Sequence, residues 1–125
     1  MTTNISIGKI GEDLAYGYLI KNGYVVLTRN YKEKWDEIDI IGRSKNGTLV
    51  FFEVKTINGE AGGLMPEDNM TSAKLKKLKR ACQMFVAKQS DLINNNVGWR
   101  IDLLAIALTG PNPAKDHIMR HYENI

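Results

Sequence analysis

Leu49, Val50, Phe51, Phe52 and Val54 form a run that is apolar at odd and even positions alike, interrupted by Glu53 and closed by Lys55. Successive strand side chains point to opposite faces, so a run like this is buried only where both faces are covered. Residues 49–55 therefore predict a central strand. Its two charges then need a reason, because burying an unpaired carboxylate or ammonium is costly. Alternation puts Glu53 and Lys55 on one face, near the C-terminal end of the strand. They can pair with each other at the sheet rim, or they can do chemistry.

The remaining segments supply neighbours for that strand. Ile7, Ile10, Leu14 and Tyr18 recur at helical spacing across residues 6–22, and Gly23 stands where a left-handed cap favours glycine. Residues 24–28 and 37–42 read as strands, and Lys45-Asn46-Gly47 predicts a tight hairpin from the second of these into residues 49–55. Residues 57–69, with three glycines and a proline, read as a long loop, a length that commonly accompanies function. Thr71 or Ser72 can cap a second helix whose apolar side carries Leu75, Leu78, Cys82, Phe85 and Val86. Residues 94–98 form a turn, residues 99–108 a buried strand, and residues 117–122 a last short strand after a Gly-Pro-Asn-Pro break. The order α-β-β-β-α-β(-β) is that of an α/β fold with a mixed central sheet flanked by helices. At 125 residues with no internal repeat or linker, the chain fits one domain over residues 1–125.

Composition removes other classes. A 43% hydrophobic, 25% charged chain is that of a soluble globular protein, and its longest apolar run, residues 103–108, is far too short to cross a bilayer. The polar N-terminal stretch, residues 1–6, lacks the pattern of an export signal, and the expected location is the cytoplasm. With Cys82 alone there is no disulfide and no cysteine-based zinc site; the thiol is expected to serve as a small buried hydrophobe. Net charge is +3, yet Lys74, Lys76, Lys77, Lys79, Arg80 and Lys88 fall in one acid-free segment, a footprint suited to a polyanion or simply a solvated helix face.

Asp39 joins Glu53 and Lys55 as a second carboxylate set in an apolar run, among Ile38, Ile40 and Ile41. The hairpin makes the two strands antiparallel neighbours and can bring Asp39 and Glu53 to one end of the sheet. Paired carboxylates raise each other's pKa unless a cation neutralises them, and hard ions such as Mg²⁺ or Mn²⁺ prefer such oxygens. Asp39, Glu53 and the backbone carbonyl of Val54 are the expected metal ligands. Lys55 can then orient or help deprotonate a water and stabilise a phosphorane-like transition state. Glu12 lies beside the apolar face of the first helix, while Glu37 is either a further acid of the site or a strand-edge residue. Asp13 is read as surface. His117 and His121 lack a third ligand and are set aside as a metal pair, Trp35 and Trp99 are read as core or rim, and Asp102 beside Arg100 as structural.

Glu12, Asp39 and Glu53-Val54-Lys55 together resemble the PD-(D/E)xK nuclease pattern seen in archaeal Holliday-junction resolvases. Gly11-Glu12-Asp13-Leu14-Ala15, Tyr18-Leu19, Gly23-Tyr24, Arg29-Asn30-Tyr31, Glu37-Ile38-Asp39-Ile40-Ile41, Phe52-Glu53-Val54-Lys55-Thr56, Lys74 with Leu78 and Ala81, and Arg100-Ile101-Asp102-Leu103 are similar to the YraN-like family of small bacterial proteins, across roughly residues 7–106. The resemblance implies a restriction-endonuclease-like core. By position it makes Asp39 and Glu53 metal ligands, Lys55 the catalytic lysine, Glu12 a supporting acid and Lys74, with Lys77 nearby, a phosphate contact. Asp36 departs from that family's frequent glycine, and Ile57 from its frequent basic residue. Three functions stay open: a Mg²⁺- or Mn²⁺-dependent endonuclease on DNA, including branched or damaged structures; a nucleic-acid-binding module without turnover; and a protein-interaction or assembly domain. No membrane partner is expected, and the chain could pair with a second copy of itself.

Overall fold

The computed structural model describes residues 6–34, 36–59 and 65–125. Ser6 opens helix α1 (Ile7–Lys21) by accepting the Lys9 N–H on its hydroxyl. The helix stops at Gly23, whose φ of +86° suits glycine, while Tyr24 N–H returns to the Leu19 carbonyl at 3.0 Å. Strands β1 (Val25–Glu33), β2 (Asp36–Arg43) and β3 (Leu49–Asn58) follow. Helix α2 (Ser72–Lys88), capped by the Thr71 hydroxyl, crosses to β4 (Trp99–Leu108), and β5 (His117–Tyr122) closes the order.

The sheet runs β1-β2-β3-β4-β5, antiparallel except between β3 and β4, which α2 connects in parallel. The doubly apolar run thus forms β3, in the middle of the sheet. On one face Phe51, Leu49 and Ile101 pack with Leu78, Ala81, Cys82 and Phe85 of α2. On the other, Val50, Phe52, Leu104 and Ile106 pack with Ala15 and Leu19 of α1. Each such large side chain contributes about 1.5–3 kcal/mol on burial. Cys82 is fully buried, and burial pushes its thiol pKa up, so the hydrophobe reading stands.

Several boundaries differ from expectation. The α1 contact line is Gly11, Ala15 and Leu19, flanked by Ile10, Leu14 and Tyr18, whereas Ile7 is 43% exposed. Gly8 beside it is exposed too, so the first turn extends past the covered part of the sheet. β1 continues to Glu33, β3 continues to Asn58, and Pro66–Asn69 is a 3-10 turn, which together shorten the expected loop. Residues 44–48 make the turn between β2 and β3, with Gly47 at φ +92° and its N–H on the Ser44 carbonyl. Trp35, the middle of the predicted loop and most of the polar N-terminal stretch lie outside the described residues. Among those described, no helix is long and apolar enough to cross a membrane.

Candidate functional site

Alternation along β1 and β2 breaks at one rung. Arg29 packs on the α1 side, paired with Asp13 at 2.7 Å and lying over the Tyr16 ring, while Tyr31 packs on the α2 side against Phe85. Two residues apart, they should share a face. Their β2 partners repeat the change: Ile40 belongs to the α1 core and Ile38 to the α2 core. Between them stand Asn30, at φ +54°, and Asp39. The pleat inverts there.

Asp39 exploits the inversion. The β2–β3 ladder ends at Ile40–Phe52, and one step further the Asp39 carboxylate replaces a strand bond by accepting the Val54 N–H at 2.8 Å. Glu53 lies next to Asp39, close enough for the two carboxyls to bear on each other's proton. Burial first, and then the neighbouring Asp39 carboxyl, push the Glu53 pKa well above the ordinary carboxylate range, against the opposing pull of Lys55. Lys55 follows Glu53 on the α2 face of β3. Val54 points its N–H toward β2, so its carbonyl leaves β3 on the same side.

This donor set suits a hard divalent ion. Among the described residues no three His, Cys, Asp or Glu side chains gather as a ready ligand set. A metal would therefore rest on Asp39, Glu53 and the Val54 carbonyl. Mg²⁺ is commonly held by one or two carboxylates with waters and substrate oxygens filling its shell, so the residues present fit it.

Glu12 approaches Asp39 from the α1 face. Its pKa is raised by burial and by the charges of Asp39 and Glu37, with Arg29 and Asn30 opposing. The close fit of α1 on β3 carries it there: a Cβ on Gly11 would sit 1.7 Å from the Thr56 hydroxyl. Asn30, its amide oriented by its neighbours, donates Nδ2–H to Glu12 Oε1 at 2.7 Å and to Glu37 Oε1 at 3.1 Å. The acids thus form a chain, with Glu12 and Glu37 on one side of Asp39 and Glu53 on the other. Asn30 entered the sequence reading only through family likeness; the signal for it was an asparagine, tolerant of left-handed backbone, inside a strand.

Lys74 and Lys77 are exposed on α2, and Lys77 borders a small crevice with Glu33, Asp36 and Arg80. Lys88 is held by Glu33 at 2.6 Å, which removes it from any phosphate-binding set. His121 donates no metal-ligand partner to His117; it bonds Asp102 instead, and His117 meets the Pro113 carbonyl. Trp99 packs edge-on against Phe51.

A profile described as Uncharacterised protein family UPF0102 matches residues 11–106, which contain every carboxylate described above and Lys55. The chain is 37% identical over 109 residues to a UPF0102 protein of Clostridium botulinum (strain Loch Maree / Type A3), covering 87% of this chain and 85% of the relative. It is 40% identical over 108 residues to one of Chloroherpeton thalassium, covering 86% and 80%. A relative from Geobacter metallireducens is 36% identical over 121 residues, covering 96% and 94%. The YraN-like motifs, this profile and these near-full-length relatives agree, and the chain belongs to the UPF0102 family.

Proposed function

We propose that the chain is a metal-dependent endonuclease of the PD-(D/E)xK type that hydrolyses phosphodiester bonds in DNA, branched or damaged structures included. The observation that carries this reading is the adjoining pair of carboxyls at the open end of the β2–β3 ladder, Asp39 fixed by the Val54 N–H and Glu53 beside it, with Lys55 next on the same face. A half-buried acid pair is unfavourable without a cation, and stability alone would be served as well by apolar residues there. Asp39, Glu53 and the Val54 carbonyl would hold Mg²⁺ or Mn²⁺. The bound ion would supply Lewis-acid polarisation of the phosphodiester. Lys55 donates hydrogen bonds to the attacking oxygen or to the charge growing on the phosphoryl group. Glu12 adds negative potential behind Asp39, and Lys74 and Lys77 on α2 supply contacts to flanking phosphates.

The test is cleavage of linear, nicked and four-way-branched DNA, and of RNA, with Mg²⁺ or Mn²⁺, alongside Mn²⁺ calorimetry. Asp39→Ala and Glu53→Ala should lose Mn²⁺ binding, whereas Lys55→Ala should keep it and lose cleavage by a factor on the order of 10² or more. A wild-type protein that binds Mn²⁺ and nucleic acid yet cuts none of these substrates is a binding module instead.

A further inference from the structure

We infer that Asn30 is the positioning residue of the acidic site: its left-handed backbone inverts the pleat so that Asp39 serves both faces, and its amide clamps Glu12 to Glu37 behind it. The clamp's effect on a metal rests on the nuclease reading; the inversion does not. At φ +54°, Asn30 occupies the left-handed region, where a Cβ crowds the following carbonyl and only glycine, asparagine and aspartate are at ease. The β1–β2 register pairs Arg29 with Ile40 and Tyr31 with Ile38, which leaves Asn30 opposite Asp39 at the rung where both strands change face. Without that change Ile38 and Ile40 would crowd one core, and Asp39 would stand out from the sheet rather than lie across the gap to the Val54 N–H. The side chain adds what glycine lacks. Two N–H bonds, 2.7 Å to Glu12 and 3.1 Å to Glu37, hold two acids that repel one another within reach of one amide. Aspartate would tolerate the backbone and reverse the clamp, so asparagine alone meets both demands.

The two demands are separated by Asn30→Gly, which keeps the backbone and removes the clamp, and Asn30→Ala, which removes both. Amide hydrogen exchange by NMR reads the backbone role. In Asn30→Ala the Val54 amide should exchange about tenfold faster relative to the β3–β4 ladder amides, and in Asn30→Gly it should stay within about threefold of wild type. Uniform acceleration of all amides in the alanine variant, or selective loss at Val54 in both variants, overturns that role. A metal-free stability cycle reads the clamp: Asn30→Gly and Glu12→Gln should be non-additive, and strict additivity overturns it. Calorimetry then links the clamp to the site, with Asn30→Gly expected to weaken Mn²⁺ binding about tenfold and unchanged affinity refuting the link. If the wild type binds no Mn²⁺, the nuclease reading fails and the exchange and cycle results still decide the role of Asn30.

Discussion

Asp102 has no solvent exposure, and its carboxylate is satisfied on every side: Arg100 Nε at 2.9 Å, His121 Nε2 at 2.8 Å and the Asn124 N–H at 2.9 Å. With Nε2–H given to Asp102, His121 Nδ1 accepts from the Tyr18 hydroxyl at 2.9 Å, tying β5 to α1. Burial raises the Asp102 pKa, but the bonds from His121, Arg100 and Asn124 outweigh it and hold the group below its ordinary value. A depressed carboxylate contributes stability that is complete above its unfolded pKa of about 3.9 and is lost as pH falls through the folded value. Stability measured by urea unfolding should therefore drop below about pH 4, and Asp102→Asn should flatten that drop. Removing a partner leaves a buried charge, so Arg100→Ala should cost about 3 kcal/mol at neutral pH. The pairing with Arg100 could be read two residues away in the chain. His121 and Asn124, 19 and 22 residues on, could not, because nothing local marks which polar residues a tertiary carboxylate will recruit.

Among the elements, those with a strong period were legible and those without were not. β3 and β4 declare themselves by runs apolar on both faces, and α2 by its spacing and Thr71 cap. β1 was read short because its second half, at the sheet edge, is mostly polar and breaks the apolar alternation. The inverted rung escaped because reading by alternation assumes a period of two throughout, and one left-handed residue cancels it. For the same reason Asp39 and Glu53 could be placed at one end of the sheet while the path by which they meet could not. The α1–β3 seam makes a sharp test: Gly11→Ala forces a methyl into Thr56 and should cost about 1–3 kcal/mol or more in thermal or urea unfolding. A paired Thr56→Ala should recover part of that loss. For α2, Lys74→Ala with Lys77→Ala should weaken DNA binding for all sequences and reduce the slope of log affinity against log salt, about 0.9 per lost contact, in anisotropy titrations. Binding equal to wild type would leave α2 a solvated face.

At the scale of the whole molecule, strand order in the sheet equals strand order in the chain, and α2 provides the one long crossover. Most pairing is therefore between neighbours in sequence, which favours fast assembly. Residues 121–125 nevertheless finish the interior: the His121 and Asn124 N–H groups bond to Asp102, and the Ile125 N–H bonds the Ile101 carbonyl at 2.9 Å. A chain stopped after residue 116 should consequently fail to give a cooperative melt although α1, α2 and β1–β4 are all present. This arrangement also bears on vectorial synthesis. A nascent chain emerging N-terminus first can pair β1, β2 and β3 as they appear, but β4 arrives carrying a carboxylate of which one partner, Arg100, is present and two, His121 and the Asn124 N–H, have yet to be translated. Until β5 and Asn124 follow, Asp102 has Arg100 but lacks the His121 and Asn124 N–H bonds that complete its shell, so β4 precedes the contacts that secure it.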